Sequence, residues 1–381
     1  MVDGAGTGIL VVGGGIIGLS IAWSLVKEGA TVTVLEAGQI GGQATGAAAG
    51  MLAPLAEAHE AGPFLTLGLE SLQRYPSFVA ELQEETGIDV ELVGPGMLRV
   101  ATNDEDAYQL SQDWEWQRSL GLHSECLSGK EVRLLEPALT SDVRLAVRSP
   151  EERNVEPRRL VRALALACAR RGVRIVEGEP VVDFEREDVI VTAAMSPGQY
   201  FGCNTVVIAG GAWSELLGRR LESTLPIYPV RGQILSLACL PPPIRHTIYG
   251  SSGYLVPKLD GRVVVGATED EAGFDTRTSA GGLARLLNLA PGLVPSLRDA
   301  AFDTAWAGLR PASADGMPII GRLPAWSNVF AACGHFRNGI LLAPITGDVI
   351  LHEISENKPH PLTAAFRPER FEAPVNLQEA M

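Results

Sequence analysis

The chain has 381 residues, 46% of them hydrophobic and 20% charged, which allows one large domain or two with an ample core. A formal net charge of −14 opposes binding to the phosphates of nucleic acid or to an anionic membrane surface. The five scattered cysteines form no Cys-x-x-Cys pair, so no metal site or redox dithiol is expected, and their odd number with no secretory signal predicts a cytoplasmic protein.

Residues 9–36 read as strand, glycine turn, helix, strand and acid. Gly13-x-Gly15-x-x-Gly18 between an apolar strand and an apolar helix gives a tight turn, close approach of backbone to a pyrophosphate, and close helix–strand packing. The helix start offers N–H groups and a positive dipole end to phosphates, and Glu36 at the next strand end suits a ribose hydroxyl. The uncharged run 37–51 suits backbone lying flat against a large ligand, with a helix beginning within 47–51. A flexible linker is the plainer alternative.

Helical spacing follows at 64–85, then a strand at 97–101, a helix at 104–120 capped by Asn103 or Asp104, a short helix opened by Ser128, and an amphipathic helix at 158–171 ended by Gly172. Strands are expected at 173–177, 181–185 and 188–192. The apolar strand 205–209 runs into glycines and a helix, so it belongs beside the 9–12 strand in a parallel sheet. From 226 to 265 alternating strands and an Asp260-Gly261 turn predict an antiparallel sheet. A helix at 281–288, a strand at 302–309 ending at Arg310-Pro311, a strand at 329–332 and a helix from Gly339 to about 354 complete the chain.

A nicotinamide enzyme needs only the first glycine turn and its sheet. The second small-residue loop, the antiparallel middle and the glycine-flanked turn at 334–341 favour FAD, whose ring needs a positive dipole such as the helix after Gly339 supplies. From the residues alone, Arg310 can be a fork for a carboxylate or an ordinary surface ion pair, Tyr254 a ligand or a sheet tyrosine, and Met51 pocket lining or core. Arg337 stands at a helix start, where the dipole disfavours a cation. His335 reads as a structural position rather than a base.

Val11-Val-Gly-Gly-Gly-Ile-Ile-Gly18, Gly41-Gly-Gln-Ala-Thr-Gly-Ala-Ala-Ala-Gly-Met51, Asn154-Val-Glu-Pro157, Trp306-Ala-Gly-Leu-Arg-Pro311 and Gly334-His-Phe-Arg-Asn-Gly-Ile-Leu-Leu-Ala-Pro344 together resemble the D-amino-acid-oxidase-like FAD family, and within it the glycine oxidases of bacterial thiamine biosynthesis. The resemblance implies an α/β chain with a Rossmann-like, glutathione-reductase-like FAD-binding domain (1–90, 145–222 and 305–365), an inserted antiparallel substrate-binding domain (91–144 and 223–304) and a tail (366–381). It implies that Ile16, Ile17 and Glu36 bind the adenosine and pyrophosphate side and that Val181 contacts adenine. Thr45, Ala49, Gly50 and Met51 would lie along the cofactor. His335, Arg337, Asn338, Gly339, Ile340 and Leu341 would wrap its ring. Arg310 would hold the substrate carboxylate with Tyr254, and Arg337 would sit nearby. No cysteine stands in the 310–313 stretch, where some relatives attach their flavin, so the FAD is expected to be noncovalent.

The implied activity is oxidation of glycine, sarcosine or small D-amino acids by dioxygen in a homotetramer. A quinone-linked D-amino-acid dehydrogenase and a non-catalytic flavin-binding module remain open. Ser252 before Tyr254 and Glu269 after Gly266-Ala-Thr depart from the glycine-oxidase pattern, where a bulkier residue and an apolar Met are expected.

Overall fold

Strand Ile9–Val12 is apolar throughout and almost wholly buried, as a strand covered on both faces must be. It pairs in parallel with Val32–Glu36 on one side and Thr205–Ile208 on the other. Arg174–Glu177 and Val329–Cys333 extend the sheet in parallel, and Ile319–Arg322 closes one edge antiparallel. The computed structural model describes residues 8–58 and 60–372, so the part of the expected tail beyond Glu372 lies outside the described residues. Helix Ile16–Lys27 is buried almost all round and packs against helices Pro157–Arg170 and Gly339–Glu356.

The second large sheet has eight strands, ordered Ala301–Ser313, Ile227–Ala238, Arg262–Gly266, Gly253–Pro257, Thr247–Gly250, Met97–Ala101, Leu145–Ser149 and Glu125–Ser128. It corrects the expectation of an antiparallel sheet at one place. Thr247–Gly250 and Met97–Ala101 pair in parallel, because they come from distant stretches of chain rather than from a hairpin. Leu145–Ser149 and Ala301–Ser313 both complete this sheet, so boundaries at 144/145 and 304/305 would part them from the strands they pair with.

Arg310 does not end its strand. The strand runs on through Pro311 to Ser313, and the missing N–H is tolerated because this is an edge strand with Pro229 opposite Pro311. The expected helix start within 47–51 is also corrected. The helix is Ala44–Ala47, Ala48 is extended, and Met51–Leu52 is a short strand paired with Arg153–Asn154. The expected strands 181–185 and 188–192 lie about two residues later, at Asp183–Glu187 and Ile190–Ser196, and form a meander with Gln199–Gly202.

Three buried polar groups fix elements that reach the site. Pro344 inside the last helix has no N–H to give the Ile340 carbonyl, and the Tyr75 hydroxyl donates to that carbonyl instead. Ser71 Oγ donates to the next carbonyl, Leu341, at 2.6 Å. Near the short helix Pro54–Glu57, the Glu152 carboxylate is 1% exposed and accepts from Leu55 N at 2.7 Å. Burial pushes the Glu152 carboxyl up to about 7, against the pull of Arg99 and its backbone donors.

Replacing Tyr75 by Phe should lower unfolding stability by about 1–3 kcal/mol, because the Ile340 carbonyl stays buried without a donor; denaturant titration that finds no change would refute this role. The folded state holds a proton on Glu152 that the unfolded chain has lost between the ordinary carboxyl range and about 7. That contribution is therefore fully present in acid and fades as pH rises through 7. Melting temperature measured against pH should fall less steeply over this window in Glu152→Gln than in the parent, and parallel slopes would contradict it.

Candidate active site

A long cavity opens along the C-terminal ends of the parallel strands, where such sheets bind their ligands. Gly13 turns the chain there with φ +116°, and a Cβ on it would lie 2.2 Å from the Ala209 carbonyl oxygen. Only glycine fits that crossing of two strand ends. Gly15 is the helix N-cap and has no side chain to cap the first turn, so that turn stays open to the cavity apart from Ile16 N, which donates to Thr45 Oγ1 at 3.0 Å. Glu36 accepts from Gly14 N at 2.7 Å and Gly38 N at 2.8 Å, which fixes its carboxylate at one end of the cavity. Gly13, Gly15, Ile16, Ile17, Glu36 and Val181 line this end. Gly18 lies behind the wall, packed against the Gly13 carbonyl.

The middle is walled by Thr45, Ala49, Gly50 and Met51. Trp306 Nε1 donates to the Ala47 carbonyl at 3.1 Å. Lys258 Nζ, buried behind the loop, donates to Ala49 O at 2.8 Å and Val155 O at 2.7 Å. Burial pushes the Lys258 ammonium down to about 8. Opposite, His335, Arg337, Asn338, Gly339 and Ile340 line the cavity at the start of the last helix, whose N-cap Asn338 makes no side-chain cap. Leu341 does not reach it; its side chain is in the core. His335 Nε2 lies 3.1 Å from Thr346 Oγ1, and burial holds the imidazole down to about 3, so it is neutral at ordinary pH. Cys333 lines the wall, but burial pushes its thiol up to about 12, which leaves it a poor nucleophile.

At the far end Tyr254 and Arg310 meet. Arg310 Nη1 donates to the Thr268 carbonyl at 2.9 Å, and among the described residues no carboxylate pairs with this guanidinium. Gly232 and Gly266 make the room: a Cβ on Gly232 would lie 2.6 Å from the Arg310 guanidinium, and one on Gly266 would lie 2.4 Å from the Tyr254 ring. Burial raises the Tyr254 phenol, with Arg310 and Arg337 opposing it. Tyr249 stacks on Tyr254 with ring centroids 6.3 Å apart, and its hydroxyl bonds Arg337. Arg337 also pairs with Glu57 at 3.0 Å and Glu269 at 2.7 Å. Burial works to lower the Arg337 pKa, but Glu57, Tyr249 and Glu269 outweigh it and raise it.

The cavity thus brings together Arg310, Tyr254, Arg337 and Met51 with the glycine turn and Glu36, across nearly the whole chain. Sequence reasoning missed Glu57, Tyr249 and Lys258. The signal for Glu57 was an acid alone among small apolar residues just after the 44–51 loop; Lys258, following an apolar strand and a proline, gave none. The residues present fit FAD. Two helix starts without a side-chain cap open onto one cavity, as suits a pyrophosphate and a ring that gains negative charge on reduction, and the fixed Glu36 carboxylate stands where a ribose hydroxyl could bond it.

The family model for FAD dependent oxidoreductases (DAO) matches residues 8–352. The glycine oxidase of Geobacillus kaustophilus is 37% identical over 352 residues, covering 92% of this chain and 93% of that protein. The bifunctional protein ThiO/ThiG of Synechocystis sp. is 36% identical over 97% of this chain and 54% of its own length. The crystal structure of glycine oxidase from Geobacillus kaustophilus matches with a TM-score of 0.93 at 35% identity, over 97% of this chain and 100% of that one.

Proposed function

Because the chain belongs to the DAO family of FAD-dependent oxidoreductases, we propose that it is a glycine oxidase, acting also on sarcosine and small D-amino acids. Glycine, dioxygen and water give glyoxylate, ammonia and hydrogen peroxide by way of the imine, the species that serves thiazole synthesis in the thiamine pathway; the ThiO/ThiG relatives support that place. The observation that carries the reading is Arg310, a cation without a carboxylate partner among the described residues, facing the FAD cavity beside Tyr254.

Arg310 takes the substrate carboxylate on its remaining N–H groups, a charge-assisted fork that sets the orientation of the α-carbon as well as its place. Tyr254, held against Gly266, donates its hydroxyl to the same carboxylate. Met51 and Ile234 give the apolar wall that keeps water from the α-carbon. Gly13, Gly15, Ile16, Ile17, Glu36 and Val181 hold the adenosine and pyrophosphate half of noncovalent FAD. Thr45, Ala49, Gly50 and the 335–340 turn hold the rest. When bound, FAD would supply a two-electron acceptor for the substrate α-C–H as the amine becomes an imine, with dioxygen as the final oxidant. His335 is neutral and bonded to Thr346, and Glu57 is paired with Arg337, so neither is a free base. The substrate therefore reacts with its amine already neutral, and positioning rather than proton transfer by the protein is what the site contributes. The chain works as a cytoplasmic homotetramer; its five unpaired cysteines support a reducing compartment, and the family resemblance supports the assembly.

Glycine under air should release peroxide, and glycine without air should bleach the yellow of the purified protein. Failure of the first with success of the second would point to an acceptor other than oxygen. Arg310→Ala should keep its FAD while losing a carboxylate pair of roughly 2–5 kcal/mol, seen as a 30- to several-thousand-fold fall in kcat/KM for glycine. Unchanged kinetics in that variant would overturn the assignment.

A further inference from the structure

Two guanidiniums face the cavity, and adjacent residues of one short segment hold one each: the Thr268 carbonyl takes Arg310, and the Glu269 carboxylate takes Arg337. The segment itself is fixed. Thr268 N donates to Gln233 O at 3.2 Å, and Asp270 and Arg231 exchange backbone hydrogen bonds at 2.9 and 3.0 Å. Glu269 therefore hangs between two anchored residues, and its half-exposed side chain reaches Arg337 from the outside while Glu57 reaches it from the cavity wall. Two carboxylates on one guanidinium leave this cluster with a formal charge of −1, whereas Arg310 keeps its positive charge. The stacked tyrosines bridge the two, with Tyr254 in the field of Arg310, Arg337 and Glu57 alike.

We propose that Glu269 is a specificity-determining residue: by over-neutralising Arg337 it excludes substrates that carry a second carboxylate. The inference rests on the preceding reading only in taking Arg310 as the carboxylate anchor. One carboxylate finds Arg310. A second one on the same small molecule meets a cation already occupied twice, and like charge in a part-buried pocket is an effective means of rejection. With an apolar residue at 269, the position would leave Arg337 and Glu57 as a neutral pair, which does not repel a second anion. Glu269 acts through Arg337 and touches no reacting atom, so it is a positioning residue.

D-aspartate and D-asparagine share a shape and differ by one charge, so the ratio of their kcat/KM values reads the exclusion directly. In the holoenzyme, Glu269→Gln should raise the aspartate-to-asparagine ratio on the order of 10- to 100-fold, the effect of removing one unit charge at short range in such a medium. Glycine kinetics should stay as they are, and Glu269→Asp, which keeps the charge, should keep the parent ratio. A ratio unmoved by Glu269→Gln would overturn the proposal, and so would one moved equally by both variants, since shape rather than charge would then be the cause. Malonate and malonamate, followed by the change they make in the flavin absorbance, give the same comparison without turnover. If glycine is not oxidised at all but the malonate-to-malonamate affinity ratio still rises in Glu269→Gln, the charge exclusion stands and the glycine reading falls.

Discussion

The buried ammonium of Lys258 is the constraint on which the cavity depends. A lysine 3% exposed must have its donors satisfied, and this one spends two of them on the carbonyls of Ala49 and Val155. Those carbonyls belong to the loop that walls the cavity and to the lead-in of the 157–170 helix, while Lys258 itself follows a strand of the eight-stranded sheet. One side chain thus ties the eight-stranded sheet to the loop along the cavity and to the lead-in of that helix. Glu156, 3.7 Å away and shared with Arg262, keeps the charge from being stranded. Removing one partner of such a buried group costs roughly 3–5 kcal/mol, so the wall is held more firmly than its small residues suggest.

The same economy runs through the chemistry. The titratable groups at the Arg310 end of the cavity, Arg310 apart, are driven away from their ordinary range or paired. His335 is pushed to about 3, Tyr249 and Cys333 to about 12, and Arg337 is held by two carboxylates. Only Arg310 keeps a charge with no carboxylate partner among the described residues. Such a site is suited to holding a carboxylate in one orientation more than to passing protons. That suits a reaction whose difficult step belongs to a cofactor.

Much of this was legible in the sequence because the residues involved obey local rules. The Gly13–Gly18 turn, Glu36 and the apolar strands at 9–12 and 205–208 are dictated by backbone geometry and by burial on both faces. The elements that were misread answer to distant partners. Ala44–Ala47 is helical and Met51–Leu52 extended because the latter pairs with Arg153–Asn154, a contact across a hundred residues. Pro311 looked like a strand terminator and is not one, because its neighbour on the open side is absent from the ladder. Tyr249 and Lys258 matter through what they touch, and neither spacing nor composition records a touch.

The order of the parallel sheet has a consequence for the life of the chain. The strand Ile9–Val12 is made well before its second neighbour in the sheet, Thr205–Ile208, which follows nearly two hundred residues later, and before the next strand out, Val329–Cys333, more than three hundred later. The helix start at Gly339 that completes the cavity arrives later still. The dinucleotide motif is therefore made long before it has a site to serve. The cavity that would hold the cofactor is complete only once the last helix has been made, and until then the edge of strand Ile9–Val12 that faces Thr205–Ile208 stays unpaired.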